Sequence, residues 1–220
     1  MQPLRGDVID ARGLLFDMDG TLVDSVAAVE RTWHGWAALH RLDPAPILAV
    51  AHGRRGIDTV RMFAPEGVDV EVEASRLAEV EREQTEGIRA VPGAGPLLRS
   101  LPPGSWAVVT SADRALAVSR LTLAGLPIPD LLITAEDVTA GKPDPQGYRL
   151  AARRLGLAAG DCIVFEDAPA GIAAGRASGA RLVVVATTLP KAQLVDAAWI
   201  GDFSGVSVSL HAGRLRVHFT

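Results

Sequence analysis

The stretch Leu14-Leu15-Phe16-Asp17-Met18-Asp19-Gly20-Thr21-Leu22-Val23-Asp24-Ser25 constrains this chain more than any other. An apolar run without alternation predicts a strand buried on both faces of a parallel sheet. It ends abruptly in two carboxylates at i and i+2, followed by a glycine that lets the chain leave the strand. Open α/β sheets bind ligands in the crevice at the carboxyl ends of their strands. If Asp17 points into that crevice, Asp19 lies a little further along the departing chain. One carboxylate can then attack a phosphoryl group while the other donates and removes protons. The alternative is a solvated turn after a strand, and the rest of the chain has to decide between them.

After Ser25 the periodicity becomes helical. Val26, Val29, Trp33, Trp36 and Ala37 recur at steps of three and four, predicting an amphipathic helix to about Leu39. Asp43-Pro44-Ala45-Pro46 breaks it, and short helical pieces follow at Ile47 to Val50 and Ile57 to Phe63. A charged helix is expected from Val70 to Glu86, with Val72, Leu77 and Val80 as its apolar set and the acidic run as a solvated face. From Val91 strand and helix alternate, with strands expected at Ser105–Val109, Leu131–Thr134, Cys162–Phe165 and Arg181–Ala186. Such alternation predicts parallel strands joined by right-handed helical crossovers. Val206, Val208 and Leu210, then Leu215, Val217 and Phe219 after Ala212-Gly213, predict an antiparallel hairpin. The expected fold is therefore α/β: a three-layer Rossmann-like core of residues 1–24 and 91–220, an inserted all-helical module of residues 25–90 and a C-terminal β-hairpin.

Composition narrows the partners. A net charge of −4 and the lack of any basic block argue against nucleic acid. The N-terminus lacks the apolar segment of a signal peptide and no stretch reaches the length of a membrane span, so a soluble cytoplasmic protein is expected. Cys162 is the only cysteine and lies in an apolar strand, where a buried thiol is the expected reading. Of the 22 basic residues only Lys142 and Lys191 are lysine. In a chain so biased toward arginine, a retained lysine suggests a need for a compact ammonium.

Three further groups fall at or beside strand ends. Thr110-Ser111 offers hydroxyl and N–H groups above a helix N-terminus, either as a phosphate seat or as a helix cap. Lys142, in Gly141-Lys142-Pro143-Asp144-Pro145, would neutralise charge between Asp17 and a phosphate or else is a solvated loop lysine, a reading that the rarity of lysine here weakens; Asp144 is expected to cap a helix with Pro145 as its first residue. Glu166-Asp167, beside Asp17, would repel it unless a cation is present, and a few hard oxygens suit Mg²⁺; the alternative is a surface acidic pair capping the helix at Ala168. Arg54 and Arg55 either bind a polar group in the crevice or are solvated. His34, His40, His52, His211 and His218 show no metal spacing, and Trp33 and Trp36 read as helix-module core.

The four groups, in this order, resemble the motifs of the haloacid dehalogenase superfamily of phosphatases and phosphomutases. Gly53-Arg54-Arg55-Gly56-Ile57-Asp58-Thr59-Val60, Gly141-Lys142-Pro143 and Phe165-Glu166-Asp167-Ala168-Pro169-Ala170-Gly171 are similar to segments of its sugar-phosphate and glycerol-phosphate phosphatases. The resemblance implies a helical cap over residues 25–90 and an aspartyl-phosphate mechanism on a small phosphorylated sugar or polyol. In it Asp17 is the nucleophile, Asp19 the acid and base, and Thr110 and Lys142, with Ser111, hold the phosphoryl oxygens. It further implies Mg²⁺ at Asp17, the Asp19 carbonyl and Asp167, with Glu166 in an outer role. A phosphosugar mutase using the same Asp17 and Asp19, and a catalytically silent binding protein, are the competing readings; oligomeric state is left open.

Overall fold

The structure, a computed structural model, describes residues 3–194 and 197–220. Its centre is a parallel sheet of six strands: β2 (Gly13–Phe16), β5 (Trp106–Val109), β6 (Leu132–Ile133), β7 (Cys162–Glu166), β8 (Arg181–Val185) and β9 (Ala198–Ile200), in the order β6-β5-β2-β7-β8-β9. Every residue of β2, β5 and β7 is buried, which is why these strands read as unbroken apolar runs. Period-two alternation still operates within them. Leu14, Phe16, Val108, Ile163 and Phe165 enter one apolar cluster, while Leu15, Ala107, Val109 and Val164 enter the other. Phe16 stacks on Phe165 with ring centroids 5.0 Å apart, locking the two central strands together.

Helices cover both faces. α5 (Ala94–Ser100) and α6 (Arg114–Leu123) pack on the Phe16 side, α7 (Gln146–Arg154) and α8 (Pro169–Ser178) on the Leu15 side. The hairpin, β10 (Val206–His211) and β11 (Arg214–Phe219), does not extend this sheet. It joins β1 (Val8–Ala11) in a separate antiparallel sheet of order β1-β11-β10, and Leu215, Val217 and Phe219 bury against the Phe16 cluster. β1 escapes sequence reading because four residues with one fully buried side chain give no periodic signal.

Between β3 (Val23–Asp24) and β4 (Arg89–Ala90) run four helices: α1 (Val26–His40), α2 (Pro44–Ala51), α3 (Gly56–Phe63) and α4 (Val70–Glu83). They share an apolar cluster of Val29, Trp33, Trp36, Ala37, Ile47, Ala51, Val60 and Leu77. The two passages between sheet and helices pair with one another, β3 against β4, and Arg89 bridges to Asp24 at 2.8 Å. The expected break after α1 is there, since α1 ends at His40, but α2 begins at Pro44 and not at Ile47. Asp43 caps it by accepting from the Ala45 N–H, and first-turn residues need no intrahelical donor.

Other boundaries shift for equally local reasons. α4 ends at Glu83, and its buried face is Glu73 and Leu77, supported by Val70 and Ala74, while Val72 and Val80 are exposed. A step of five residues from Val72 to Leu77 turns the helix roughly 140° off register, so the expected apolar set was not one stripe. Nor is the acidic run wholly solvated: Glu73 is buried and accepts from Trp36 Nε1 at 3.0 Å beside His40 Nε2 at 2.9 Å. α6 starts at Arg114 with Asp113 as its cap, and although α7 is regular only from Gln146, Asp144 makes the expected capping contact by accepting from the Gln146 N–H at 2.8 Å.

Gly171 in α8 lets the helix lie against the Glu166 carboxylate, where a Cβ would collide with it. Gly171→Ala should therefore destabilise by roughly 2–4 kcal/mol, as overpacking with displacement of a buried charge does. Gly35→Ala, in the open middle of α1, should stabilise by about 0.5–1 kcal/mol. Denaturant titration of both variants checks the pair; equal effects would remove the claim that Gly171 is needed for close approach.

Candidate active site

Parallel register brings the motif residues together. Phe16 stands opposite both Val108 and Phe165, so Asp17, Thr110 and Glu166-Asp167 emerge side by side at the carboxyl edge. Asp17, Glu166 and Asp167 are all buried, with carboxylate oxygens within 4.8 Å of one another. Lys142 enters from its loop with its side chain 6% exposed, donating to Asp17 Oδ1 and, at 2.7 Å, to Glu166 Oε1.

The three acids are held differently. Glu166 is saturated: Oε1 accepts from Lys142 and from Tyr148 O–H at 2.9 Å, and Oε2 from the N–H groups of Asp167 and Ala168 at 2.9 and 3.2 Å. Its role in the geometry is to aim Lys142. Asp167 accepts from Thr21 Oγ1 at 2.8 Å and from Thr188 Oγ1. Gly20, at φ +82°, passes so close to Asp167 that a side chain there would overlap its carboxylate. Asp17 has only Oδ1 engaged, leaving Oδ2 without a hydrogen bond among the described residues.

Charge explains the electrostatics. Burial, reinforced by Glu166, pushes the Asp17 carboxyl well above its ordinary range despite Lys142. Burial and Glu166 push Asp167 up to about 7 against the opposing hydroxyl donors. Burial disfavours the Lys142 ammonium, but Asp17 and Glu166 overcome it and hold the proton more tightly than usual. With all three acids ionised, one ammonium would leave an excess of two negative charges in a site made of hard oxygens, which is why burial drives protons onto them. A divalent cation such as Mg²⁺ matches both the charge and the donor type.

The remaining residues line a cleft between the sheet edge and α1–α4. Asp17, Asp19, Thr110, Ser111, Arg54, His52, Trp33, Glu81 and Arg120 all face it. Arg54 makes no ion pair among the described residues, whereas Arg55 is committed to Asp58 at 2.7 Å and to the Thr139 carbonyl at 3.2 Å. Ser111 Oγ donates to the Gly53 carbonyl at 2.8 Å, joining the core loop to the helical unit. Thr110 Oγ1 accepts from the Ala112 N–H at 3.1 Å. Trp33 belongs both to the helical core and to the cleft wall. Burial lowers the His52 pKa, although Glu30 and Asp19 pull the other way.

Residues 11–179 match the haloacid dehalogenase-like hydrolase family. The chain belongs to that family. This haloacid dehalogenase-like hydrolase is 47% identical over 178 residues to hexitol phosphatase A of Escherichia coli, covering 79% of this chain and 82% of that one. It is 36% identical over 185 residues to glycerol-1-phosphate phosphohydrolase 1 of Saccharomyces cerevisiae, covering 79% and 74%. Among solved structures, a hydrolase from Pseudomonas syringae superposes with a TM-score of 0.76 at 26% identity, covering 88% of this chain and 94% of the other. The hydrolase is thus a phosphatase by kinship, and no helix among its described residues is long and apolar enough to cross a membrane.

Sequence reading missed Arg120, Thr188 and Tyr148 as parts of this site. Arg120 left a trace: it occupies a position on the buried Leu116–Ala117–Leu121 face of α6, where an arginine needs a partner. Thr188 left none, since it follows β8 in a loop with no periodicity.

The raised carboxyls predict a definite pH dependence. Asp167 holds a proton in the folded state at pH values where the unfolded chain has lost it. Without divalent cations, stability should be greatest below the usual carboxylate pKa near 4, fall as pH rises toward about 7, and flatten above. Asp167→Asn should remove part of that slope. Urea unfolding in chelator across this range checks it; stability rising over the same interval would contradict the assignment.

Proposed function

We propose that the chain is a Mg²⁺-dependent phosphatase that hydrolyses the monophosphate of a small sugar or polyol through an aspartyl-phosphate at Asp17. The observation that carries this reading is the free Asp17 Oδ2 beside Lys142, in a cleft that Asp19 also faces. Kinship with hexitol and glycerol-1-phosphate phosphatases supports the substrate class. Residues 25–90 act as a cap over a core of residues 1–24 and 91–220, with the β3–β4 pair at the hinge.

Asp17 Oδ2 attacks phosphorus as the ester oxygen departs and takes a proton from Asp19. Water then attacks the aspartyl-phosphate, giving its proton to Asp19; inorganic phosphate leaves and the Asp17 carboxylate is restored. Lys142 and Thr110 bind the phosphoryl oxygens, and Ser111 fixes the loop through Gly53. Mg²⁺, held by Asp17, Asp167 and the Asp19 carbonyl, would supply charge neutralisation that lets anionic Asp17 approach an anionic phosphate. Arg54 offers its guanidinium to the polar end of the substrate, while Arg55 helps hold the cap closed.

Asp17→Asn should lose at least about a thousandfold in turnover while keeping the fold, because an amide of similar size is a poor nucleophile. In ¹⁸O-labelled water the released phosphate should carry label. Conversion of a hexose 1-phosphate to its 6-phosphate with little free phosphate would replace hydrolysis by mutase chemistry.

Mg²⁺ should raise the melting temperature at pH 8 and lose this effect as pH falls below about 6, where protons compete for the raised carboxyls. Arg54→Ala should raise KM or reorder a panel of polyol phosphates with kcat little changed. A melting temperature indifferent to Mg²⁺ at pH 8 would remove the metal from this reading.

A further inference from the structure

Asp19 is gripped by one oxygen only. Oδ1 accepts from Ser25 Oγ at 2.7 Å and pairs with Arg120 Nη1 at 2.7 Å, while Oδ2 makes no hydrogen bond among the described residues. Ser25 stands at the start of α1, where the chain enters the helical unit. Arg120 comes from α6 of the core, with its side chain 2% exposed. Its Nη2 donates to Glu81 Oε1 of α4 at 3.0 Å, and its buried Nε has no hydrogen-bond partner.

Burying a guanidinium is costly unless carboxylates compensate it, and leaving Nε unsatisfied adds to that cost. Tying α6 to α4 does not require the expense. Arg82 and Asp113 already join those helices at 2.9 Å near the surface. What Arg120 adds is contact with Asp19: by holding Oδ1 together with Ser25 it restrains the carboxylate and leaves Oδ2 unpaired on a residue that lines the cleft. Glu81 restrains the same guanidinium from the cap, so the aim of Asp19 depends on α4 being seated over the sheet.

We infer that Arg120 is a positioning residue for Asp19, held in place by Glu81, so that docking of the helical cap completes the proton donor. This rests on the reading of Asp19 as acid in the proposed phosphatase reaction. It singles out a class of substrate: esters of poor leaving groups, such as alkyl alcohols of polyols, need the proton as the P–O bond breaks. Nitrophenolate departs without one. A residue that merely supports the fold would affect both alike.

The test compares kcat/KM, which reports steps through formation of the phosphoenzyme, on sorbitol 6-phosphate and on p-nitrophenyl phosphate with Mg²⁺ present. The ratio of the first to the second should fall by about 10- to 100-fold in Arg120→Met, less than the roughly 100- to 10,000-fold that general acid catalysis contributes, because Asp19 itself remains. Glu81→Gln should lower the ratio less, and Arg120→Lys should recover part of the loss by keeping a cation near one carboxylate. Thermal melts establish folding, and if Arg120→Met does not fold, the ratios for Glu81→Gln and Arg120→Lys decide. An unchanged ratio in the folded variants overturns the inference. Asp19→Asn separates the two readings: a lowered ratio there with an unchanged one in the Arg120 and Glu81 variants sinks only the positioning role. An unchanged ratio in Asp19→Asn removes the acid itself, and the positioning role with it.

Discussion

Lys142 is the cation on which the site's charge balance turns. Asp17, Glu166 and Asp167 sit at adjacent strand ends because the parallel register of β2 and β7 leaves them nowhere else to go. Buried together without a cation, they would be driven to protonate. Lys142 bridges Asp17 and Glu166, and Tyr148 with two backbone N–H groups fixes Glu166 as its support. The arrangement spends one carboxylate on holding the lysine, so that another can keep a free oxygen toward the cleft. An arginine would bring a planar fork in place of a point charge that reaches both acids from one nitrogen.

A second layer of polar contacts joins the sheet edge to the helices above it. Ser111 to Gly53, Arg55 to Thr139, Arg82 to Asp113 and Arg120 to Glu81 each cross that boundary. The first three are exposed or part-buried, two of them hydrogen bonds to backbone carbonyls and one an ion pair, and each is individually worth little and easily remade. Arg120 differs in its burial and in touching Asp19. Through it the helices above the sheet edge are tied to the Asp19 carboxylate.

Much of the core was legible because burial on both faces of a parallel strand leaves a mark in composition. The apolar runs before Asp17, Thr110 and Glu166 locate three strands, and the residues that end those runs are the ones that meet at the crevice. Loops and surface helices were less legible. The α4 stripe failed because Val72, Leu77 and Val80 share hydropathy but not one helical face. The start of α2 was placed three residues late because a proline in the first turn removes no intrahelical bond. β1 is too short to announce itself, and its pairing with β11 joins ends of the chain about two hundred residues apart.

Local pattern was enough to locate the polar groups at or beside strand ends: the acids at 17, 19, 166 and 167, the hydroxyl at 110 and, in a loop, a rare lysine at 142. These follow from local pattern, since strand, turn and side-chain type are written within a few residues of each other. How the acids differ is visible only in the folded chain. Glu166 is saturated, Asp17 keeps one oxygen free, and Asp19 is held by an arginine from another helix. Hydrogen-bond partners and burial come from segments distant in the chain, and those set which carboxylate is held and which is left open to act.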